Sequence, residues 1–355
     1  MKKLLIINIG STSSKLSYYN DRTCEWKTTV NHPVEDLKKY PEILEQYDYR
    51  YEAICNTLKE ANIDYMEMDA IVSRGGHTRP IKGGTYLIND VMMAEIKTGN
   101  FGRHPCDIGV YIAAQMAKES GAMPLTVDPP VTDELTPIAR YSGLPEAPRK
   151  SQFHALNHRA IAKRYAEEVG KPYDSLRLIG VHIGGGTTVA VHKDGQMVDA
   201  SNGLYGGPFS GNRTGDVPGD TLVKMCFSGK YTEKEMMSKL NGTGGLTAYL
   251  NESDIRVILG RIEAGDALAA EVLDAMIYQI CKEIGAFSTV LKGVFDAIII
   301  SGGIANSSLI VDKIKESIGF LGSNIIVYPG EEEMEALAFG AFEGLERQDI
   351  IKVLS

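Results

Sequence analysis

The sequence predicts a mixed α/β protein in two similar halves, and three observations carry that expectation. Short β-branched runs alternate with longer amphipathic stretches, the pattern of strands separated by helices. A strand-turn-strand motif at the start recurs later in the chain: Leu5-Ile6-Ile7-Asn8-Ile9-Gly10-Ser11-Thr12-Ser13-Ser14 resembles Ile179-Gly180-Val181-His182-Ile183-Gly184-Gly185-Gly186-Thr187-Thr188. With 355 residues, 43% hydrophobic and 23% charged, the chain suits two domains of about 100 to 200 residues each and can bury sizeable cores without disulfide or metal staples.

The elements follow in order. Met1-Lys2-Lys3 precedes an apolar run that stops at Asn8, short of the roughly 7 to 15 residues of a signal-peptide core. Leu4 to Ile9 is therefore read as the first strand. Further strands are expected at Ala70 to Ser73, Leu125 to Val127, Arg177 to Ile183, Thr188 to His192 and Ala297 to Ser301. Helices are expected at Pro33 to Gln46, Tyr51 to Ala61, Ile108 to Glu119, Ala155 to Val169, Thr232 to Leu240, Ala267 to Leu291 and Glu332 to Arg347, with Gly121 and Gly170 as stops. Five prolines between Asp128 and Pro148 mark a loop or hinge. The recurring motif reads as two hairpins, continued by Lys15 to Tyr19 and by Val189 to His192, each with a polar tip.

Composition excludes several classes of function. The net charge is -9 and no basic run exceeds two residues, which argues against nucleic acid as a partner. The apolar runs fall far short of the roughly 20 residues a membrane helix needs. Five scattered cysteines without a C-x-x-C pair fit reduced thiols in a cytoplasmic protein.

The two tips are the first candidates for chemistry. Small residues let backbone N–H groups approach an anion, and hydroxyls add donors, so the tips suit phosphate. Neither G-x-x-x-x-G-K-[ST] nor G-x-G-x-x-G occurs, so any phosphate site uses another scaffold. Lys15, just past the first tip, either reaches a phosphate or is a plain surface lysine. The glycine-rich stretch from Asn202 to Asp220 is too long for a simple connector. Its one cation, Arg213, either faces a phosphoryl group or pairs with Asp216 to hold the loop.

Other candidates sit beside expected strand ends. Arg74 and Arg79 flank Gly75-Gly76-His77, where an anionic substrate can dock. Asp128 closes a strand before Pro129-Pro130, a natural neighbour for Mg²⁺ or a nucleophile. His154 and His158 have the spacing of a zinc pair, but Ala155 replaces the glutamate of H-E-x-x-H, so zinc is set aside. His154 either donates to a phosphoryl group or caps its helix. The turn Ser301 to Ser307 either wraps a flat or phosphorylated ligand or is a glycine turn without one. Glu331-Glu332-Glu333 opens the last helix, where the dipole alone explains acidic residues, although one can also reach Mg²⁺.

Taken in order, these segments resemble the acetate and propionate kinase family of the actin-like ATPase superfamily, most closely its butyrate kinase branch. The anchors are Asn8 to Lys15, Arg74-Gly75-Gly76, Asp128-Pro129-Pro130, Phe153-His154 with His158, His182 to Thr188, Arg213 to Asp216, Ser253 to Arg256, Gly302-Gly303-Ile304 and Glu331 to Glu333, and they cover nearly the whole chain. The resemblance implies two ribonuclease-H-like domains with mixed sheets flanked by helices and an interdomain nucleotide cleft. They are residues 1–150, completed by the C-terminal helix 334–355, and 151–333, the nucleotide-binding domain.

It also implies Mg²⁺-dependent, reversible transfer of a phosphoryl group from ATP to a short-chain fatty acid, giving ADP and an acyl phosphate. Asp128, His154 and Arg213 match the catalytic group, and Arg74 the substrate arginine. Lys15, His182, Gly184, Gly185, Gly186 and Thr187 match the phosphate cradle. Asp254, Arg256, Gly302, Gly303 and Asn306 match the adenosine end, and Asn8 and Glu332 the Mg²⁺ environment. A homodimer or higher homo-oligomer is the family expectation. Ile71 to Gly76 and Phe153 to His158 depart from the acetate kinase pattern in the way butyrate kinases do, which favours a longer aliphatic acid. The rival readings are a sugar kinase on the same scaffold, which needs a general-base aspartate, and a nucleotide-switched binding protein like actin or Hsp70. The latter carries a peptide-binding domain after its nucleotide core, and no such segment is expected in the sequence up to Ser355.

Overall fold

The computed structural model describes residues 1–322, 324–330 and 333–355. The chain forms two compact units, Met1–Asp133 with Glu332–Ser355, and Glu134–Glu331. The strands are β1 (Lys3–Ile9), β2 (Ser13–Asn20), β3 (Thr23–Asn31), β4 (Ala70–Ser73), β5 (Thr85–Leu87), β6 (Met123–Val127), β7 (Leu178–Ile183), β8 (Thr187–Lys193), β9 (Gln196–Ala200), β10 (Ala297–Gly302), β11 (Asn324–Pro329) and β12 (Lys352–Val353). The first sheet runs β12-β5-β6-β4-β1-β2-β3 and the second β11-β10-β7-β8-β9.

Both sheets share one plan. An antiparallel meander, β1-β2-β3 or β7-β8-β9, has a parallel strand, β4 or β10, beside its first member, and a second parallel strand, β6 or β11, beyond that. The repeated motif of the sequence is thus the first hairpin of each meander. The central strands β1, β4, β7 and β10 are buried on both faces over nearly their whole length, so they read as near-continuous apolar runs.

In the second unit alternate residues divide between two cores. Ile179, Val181, Ile183, Ile298 and Ile300 pack with Leu273, Met276 and Ile280 of the helix Ala267–Ser288. Leu178, Ala297 and Ile299 pack with Ala162 and Tyr165 of the helix Ala155–Glu168. In the first unit Leu5, Ile7 and Ile9 pack with Ile54, Ile108 and Ile112. Each fully buried Leu, Ile, Val or Met among them contributes about 1.5 to 3 kcal/mol. The helix Glu333–Glu346 lies on β6 so closely that a Cβ on Gly340 would sit 2.4 Å from Val127 Cγ1.

One expected helix is corrected. Pro33 to Gln46 is not continuous but splits into Val34–Leu37 and a 3-10 turn, Ile43–Gln46. Pro41 lies between them, and the residue before a proline is pushed out of the helical region. The expected helix at Ala267 to Leu291 ends at Ser288 and finishes in a 3-10 turn, Thr289–Leu291. Strands β3, β5, β9, β11 and β12 and the helices Asp90–Thr98, Ile255–Glu263 and Ser308–Ile318 went unpredicted. No helix among the described residues is long and apolar enough to cross a membrane.

Candidate functional site

Strands β1, β4 and β6 are adjacent and parallel, so their carboxyl ends place Asn8, Arg74 and Asp128 along one edge of the first sheet. Such edges are where open α/β sheets bind ligands. Asn8 is 4% exposed. Its Nδ2 donates to Glu333 Oε2 at 2.8 Å, and Arg74 Nη2 pairs with Glu333 Oε1 at 3.0 Å. Glu333 opens its helix, so its carboxylate meets the positive end of the dipole as well as Arg74 and Asn8. Glu332 lies outside the described residues.

Asp128 is 5% exposed and has φ 40, a left-handed conformation that aspartate tolerates better than most residues. Its Oδ1 accepts from Gly84 N at 2.8 Å. Gly75, at φ +91, lets the Arg74 loop press against the Asp128-Pro129 turn, because a Cβ there would lie 2.6 Å from Pro129 Cβ. His77 is held by Asp107 Oδ1 at 2.9 Å, and burial pushes the neighbouring Cys106 thiol up to about 12. That thiol stays protonated at neutral pH. Arg79, the other candidate in this loop, pairs with Glu95 at 3.3 Å.

The first tip has a support that its sequence does not advertise. Arg50 is 0% exposed and donates to the carbonyls of Gly10 (3.1 Å) and Ser11 (2.8 Å) and to Gln46 Oε1 (3.0 Å). Burial lowers its pKa to about 10, so it remains a cation at neutral pH. By drawing the carbonyls inward it shapes the turn. Lys15 is exposed and pairs across the ladder with Asn8, which puts both on one face.

The second unit gathers more of the expected residues. His182 ends β7, and Gly184 to Gly186 make the turn into β8. Thr187 Oγ1 is buried and has no hydrogen-bond partner among the described residues, a hydroxyl still to be satisfied by an incoming acceptor. Arg213 lies on this tip: a Cβ on Gly186 would be 1.9 Å from its Nη1. Its Nε donates to Asn241 Oδ1 at 3.1 Å and its Nη1 to the Gly203 carbonyl at 2.5 Å. The pairing with Asp216 does not form, since Asp216 Oδ1 accepts from Gly207 N at 3.2 Å. No carboxylate among the described residues pairs with Arg213, and burial lowers its pKa.

His154 sits at the start of the helix Ala155–Glu168, its ring centroid 4.2 Å from that of His182. His154, His182, the Gly184–Thr187 tip and Arg213 therefore form one cluster. Gly302 has φ +95 and passes so close to the end of β7 that a Cβ would meet the Ile183 carbonyl at 2.3 Å. Only glycine fits there. Gly303 and Asn306 are exposed next to it, with Asn306 Nδ2 donating to the Gly303 carbonyl at 2.9 Å.

Asp254 caps the helix Ile255–Glu263 by accepting from Arg256 N, and pairs with the Arg256 side chain at 2.5 Å. Those hydrogen bonds hold the Asp254 carboxyl down at about 2. This pair is joined to the tip through its neighbours. A Cβ on Gly211 would lie 3.5 Å from Ser253 Cβ, and Ser210 Oγ donates to the Gly185 carbonyl at 2.8 Å.

His158 and His192, behind the cluster, are 0% exposed, and burial pushes both down, His192 to about 3. In the fold they stay neutral, whereas the unfolded chain binds protons below about pH 6.5. Stability is therefore full above about pH 6.5 and falls as the pH drops, by about 1.4 kcal/mol per pH unit for each of the two. Urea midpoints between pH 7 and 5 check this: a falling midpoint is expected, and a flat one contradicts the neutral pair.

Two mixed sheets on one strand order, each opening with a hairpin whose tip lies beside charged side chains, define the actin-like ATPase fold. Residues 144–332 match the acetokinase family. Butyrate kinase 1 of Clostridium acetobutylicum is 45% identical over 353 residues, 99% of each chain. The crystal structure of Porphyromonas gingivalis acetate kinase superposes with a TM-score of 0.79 at 20% identity, covering 96% of this chain and 99% of that one. A propionate kinase from Francisella tularensis gives 0.76 at 19%, covering 95% and 98%. At such identities the two structures speak for the fold alone. The chain belongs to the acetokinase family, whose members phosphorylate carboxylates with ATP.

Proposed function

We propose that this chain transfers the γ-phosphoryl of ATP to butyrate or a branched relative, and runs the same step backwards to make ATP from the acyl phosphate. The observation that carries this reading is Arg213, a guanidinium laid across the Gly186 tip by an amide and a carbonyl, with its charge uncancelled by any carboxylate among the described residues. The full-length likeness to butyrate kinase 1 supports the choice of acid.

A carboxylate nucleophile is ionised at neutral pH and needs no general base. Its difficulty is repulsion from the triphosphate, which cations at the transferring group relieve. The acid oxygen attacks the γ-phosphorus, the bond to the bridging oxygen breaks, and ADP leaves with that electron pair. Arg213 and His154 stabilise the equatorial oxygens, and Arg74 receives the acid. Lys15 and the tip from His182 to Thr187 hold the nucleotide phosphates, with the Thr187 hydroxyl as one donor. Gly302, Gly303, Asn306, Asp254 and Arg256, all in the second unit, hold the adenosine end.

With Nδ2 engaged by Glu333, Asn8 offers its amide oxygen, and Glu333 its carboxylate. Two such hard oxygen donors fit Mg²⁺. When bound, the ion neutralises charge on the phosphate oxygens. Asp128 orients this set, and Glu332 is the neighbouring alternative carboxylate. The five cysteines are free thiols, in keeping with action in the cytoplasm, and a homo-oligomer completes the proposal.

A hydroxamate trap tests it, with Mg-ATP and straight and branched acids from C2 to C6. Acyl hydroxamate is expected to peak near C4, with kcat/KM for butyrate at least about 10-fold above that for acetate, since one methylene is worth about 10- to 200-fold. No hydroxamate from any acid, or consumption of ATP with hexoses or glycerol instead, overturns the proposal.

A further inference from the structure

We propose that Thr188 and His158, backed by His192 and Tyr173, are positioning residues that fix His154 as the tautomer carrying its proton on Nε2. The proposal deepens the assignment of His154 as the donor to the transferring phosphoryl group and rests on it. Thr188 is the second residue of β8, across the ladder from His182. Its Oγ1 lies 2.9 Å from His154 Nδ1 and 2.9 Å from His158 Nε2. A hydroxyl has one proton, so between two neutral rings it donates to one and accepts from the other. The tautomers of His154 and His158 are thereby locked together.

The direction of the lock is set further back. His192 Nδ1 lies 2.9 Å from Tyr173 Oη, and a phenol is a good donor to a neutral imidazole nitrogen. That leaves the His192 proton on Nε2. His192 Nε2 and His158 Nδ1 converge on one point: a Cβ on Gly180 would meet them at 3.1 and 2.4 Å. Both nitrogens are buried and neither has a hydrogen-bond partner among the described residues, so the link we infer between them is one bridging water, which accepts from one ring and donates to the other.

The chain of donors then runs from Tyr173 through His192 and His158 to Thr188, whose hydroxyl donates to His154 Nδ1. The His154 proton is left on Nε2. In the opposite direction the phenol would accept, and His154 would turn a lone pair towards phosphate oxygens. The low pKa of His158 and His192 agrees with neutral rings at those two positions. Gly180 itself gains a reason: glycine inside a buried strand weakens it, but here any side chain would occupy the space the two rings share.

The test reads the tautomer as well as the rate. Long-range ¹H–¹⁵N spectra of the histidine rings of the full chain at pH 7.5 are expected to show His154 protonated on Nε2. In Thr188→Val the His154 signals should move to a mixture of tautomers, and kcat should fall about 10- to 100-fold while KM for ATP and for the acid stays near wild type. Thr188→Ser should restore both. A wild-type His154 protonated on Nδ1, or a Thr188→Val enzyme with unchanged tautomer and rate, overturns the relay. The wild-type spectrum decides even if Thr188→Val fails to fold. His154→Ala separates the two layers. If it turns over normally, the role of His154 falls; if it is crippled while Thr188→Val is not, the positioning claim alone falls.

Discussion

Arg213→Ala is expected to lower kcat about 10³-fold or more while leaving ATP affinity within a few-fold of wild type. The guanidinium sits over Gly186, oriented by Asn241 and the Gly203 carbonyl. No acidic side chain among the described residues holds it, so its removal deletes a charge that no ion pair cancels, not a structural salt bridge. The Asn241 amide and the Gly203 carbonyl left behind can turn to water, so the fold should survive, and circular dichroism checks that. Arg213→Lys keeps the charge but loses the planar fork that lets one nitrogen reach Gly203 while another reaches Asn241, so it should recover only part of the loss. Steady-state kinetics beside calorimetric titration with ATP separates the two quantities. Equal losses in turnover and nucleotide affinity would mean that Arg213 serves binding instead.

Gly186→Ala is expected to lower kcat about 100-fold without touching the guanidinium's chemistry. The added methyl carbon would sit 1.9 Å from Arg213 Nη1 and 2.5 Å from Cζ. The far end of an arginine moves readily, so folding should change little. The charge, however, leaves its place, and a displacement of about 1 Å can cost 10²-fold. Because the damage passes through Arg213, the double variant with Arg213→Ala should be no slower than Arg213→Ala alone. Additive losses would show that Gly186 acts independently of Arg213. Gly302 offers the contrast. There a methyl group meets the Ile183 backbone, which cannot step aside.

The strand-tip-strand repeat was legible because its apolar runs are buried on both faces and its tips are nearly free of large side chains. Strand β3 was not: Thr23 to Asn31 alternates between exposed and half-buried, leaving little hydrophobic signal. The alternatives at Arg213 could not be separated in sequence, since Asp216 is three residues away. The loop fold sends that carboxylate to Gly207 N instead. Arg50 reads as one cation on an ordinary amphipathic helix, and it becomes a clamp only when the fold sets that helix beneath the first tip. Asp254 and Arg256 make a local cap and ion pair that two residues of spacing already permit. Among the three glutamates the sequence offers no way to choose. The helix on β6 turns Glu333 to Asn8 and Arg74.

In the proposed reaction a phosphoryl group is joined to a carboxylate beside the charge that Arg213 presents on the Gly186 tip. Phosphorus NMR of wild-type and Arg213→Ala protein mixed with Mg-ATP and butyrate tests it most directly. The wild type should build an acyl-phosphate resonance as the γ-phosphate signal declines, and Arg213→Ala should bind ATP yet show no such resonance on the same timescale. An acyl-phosphate signal that grows equally fast in both, or appears in neither, would contradict the account.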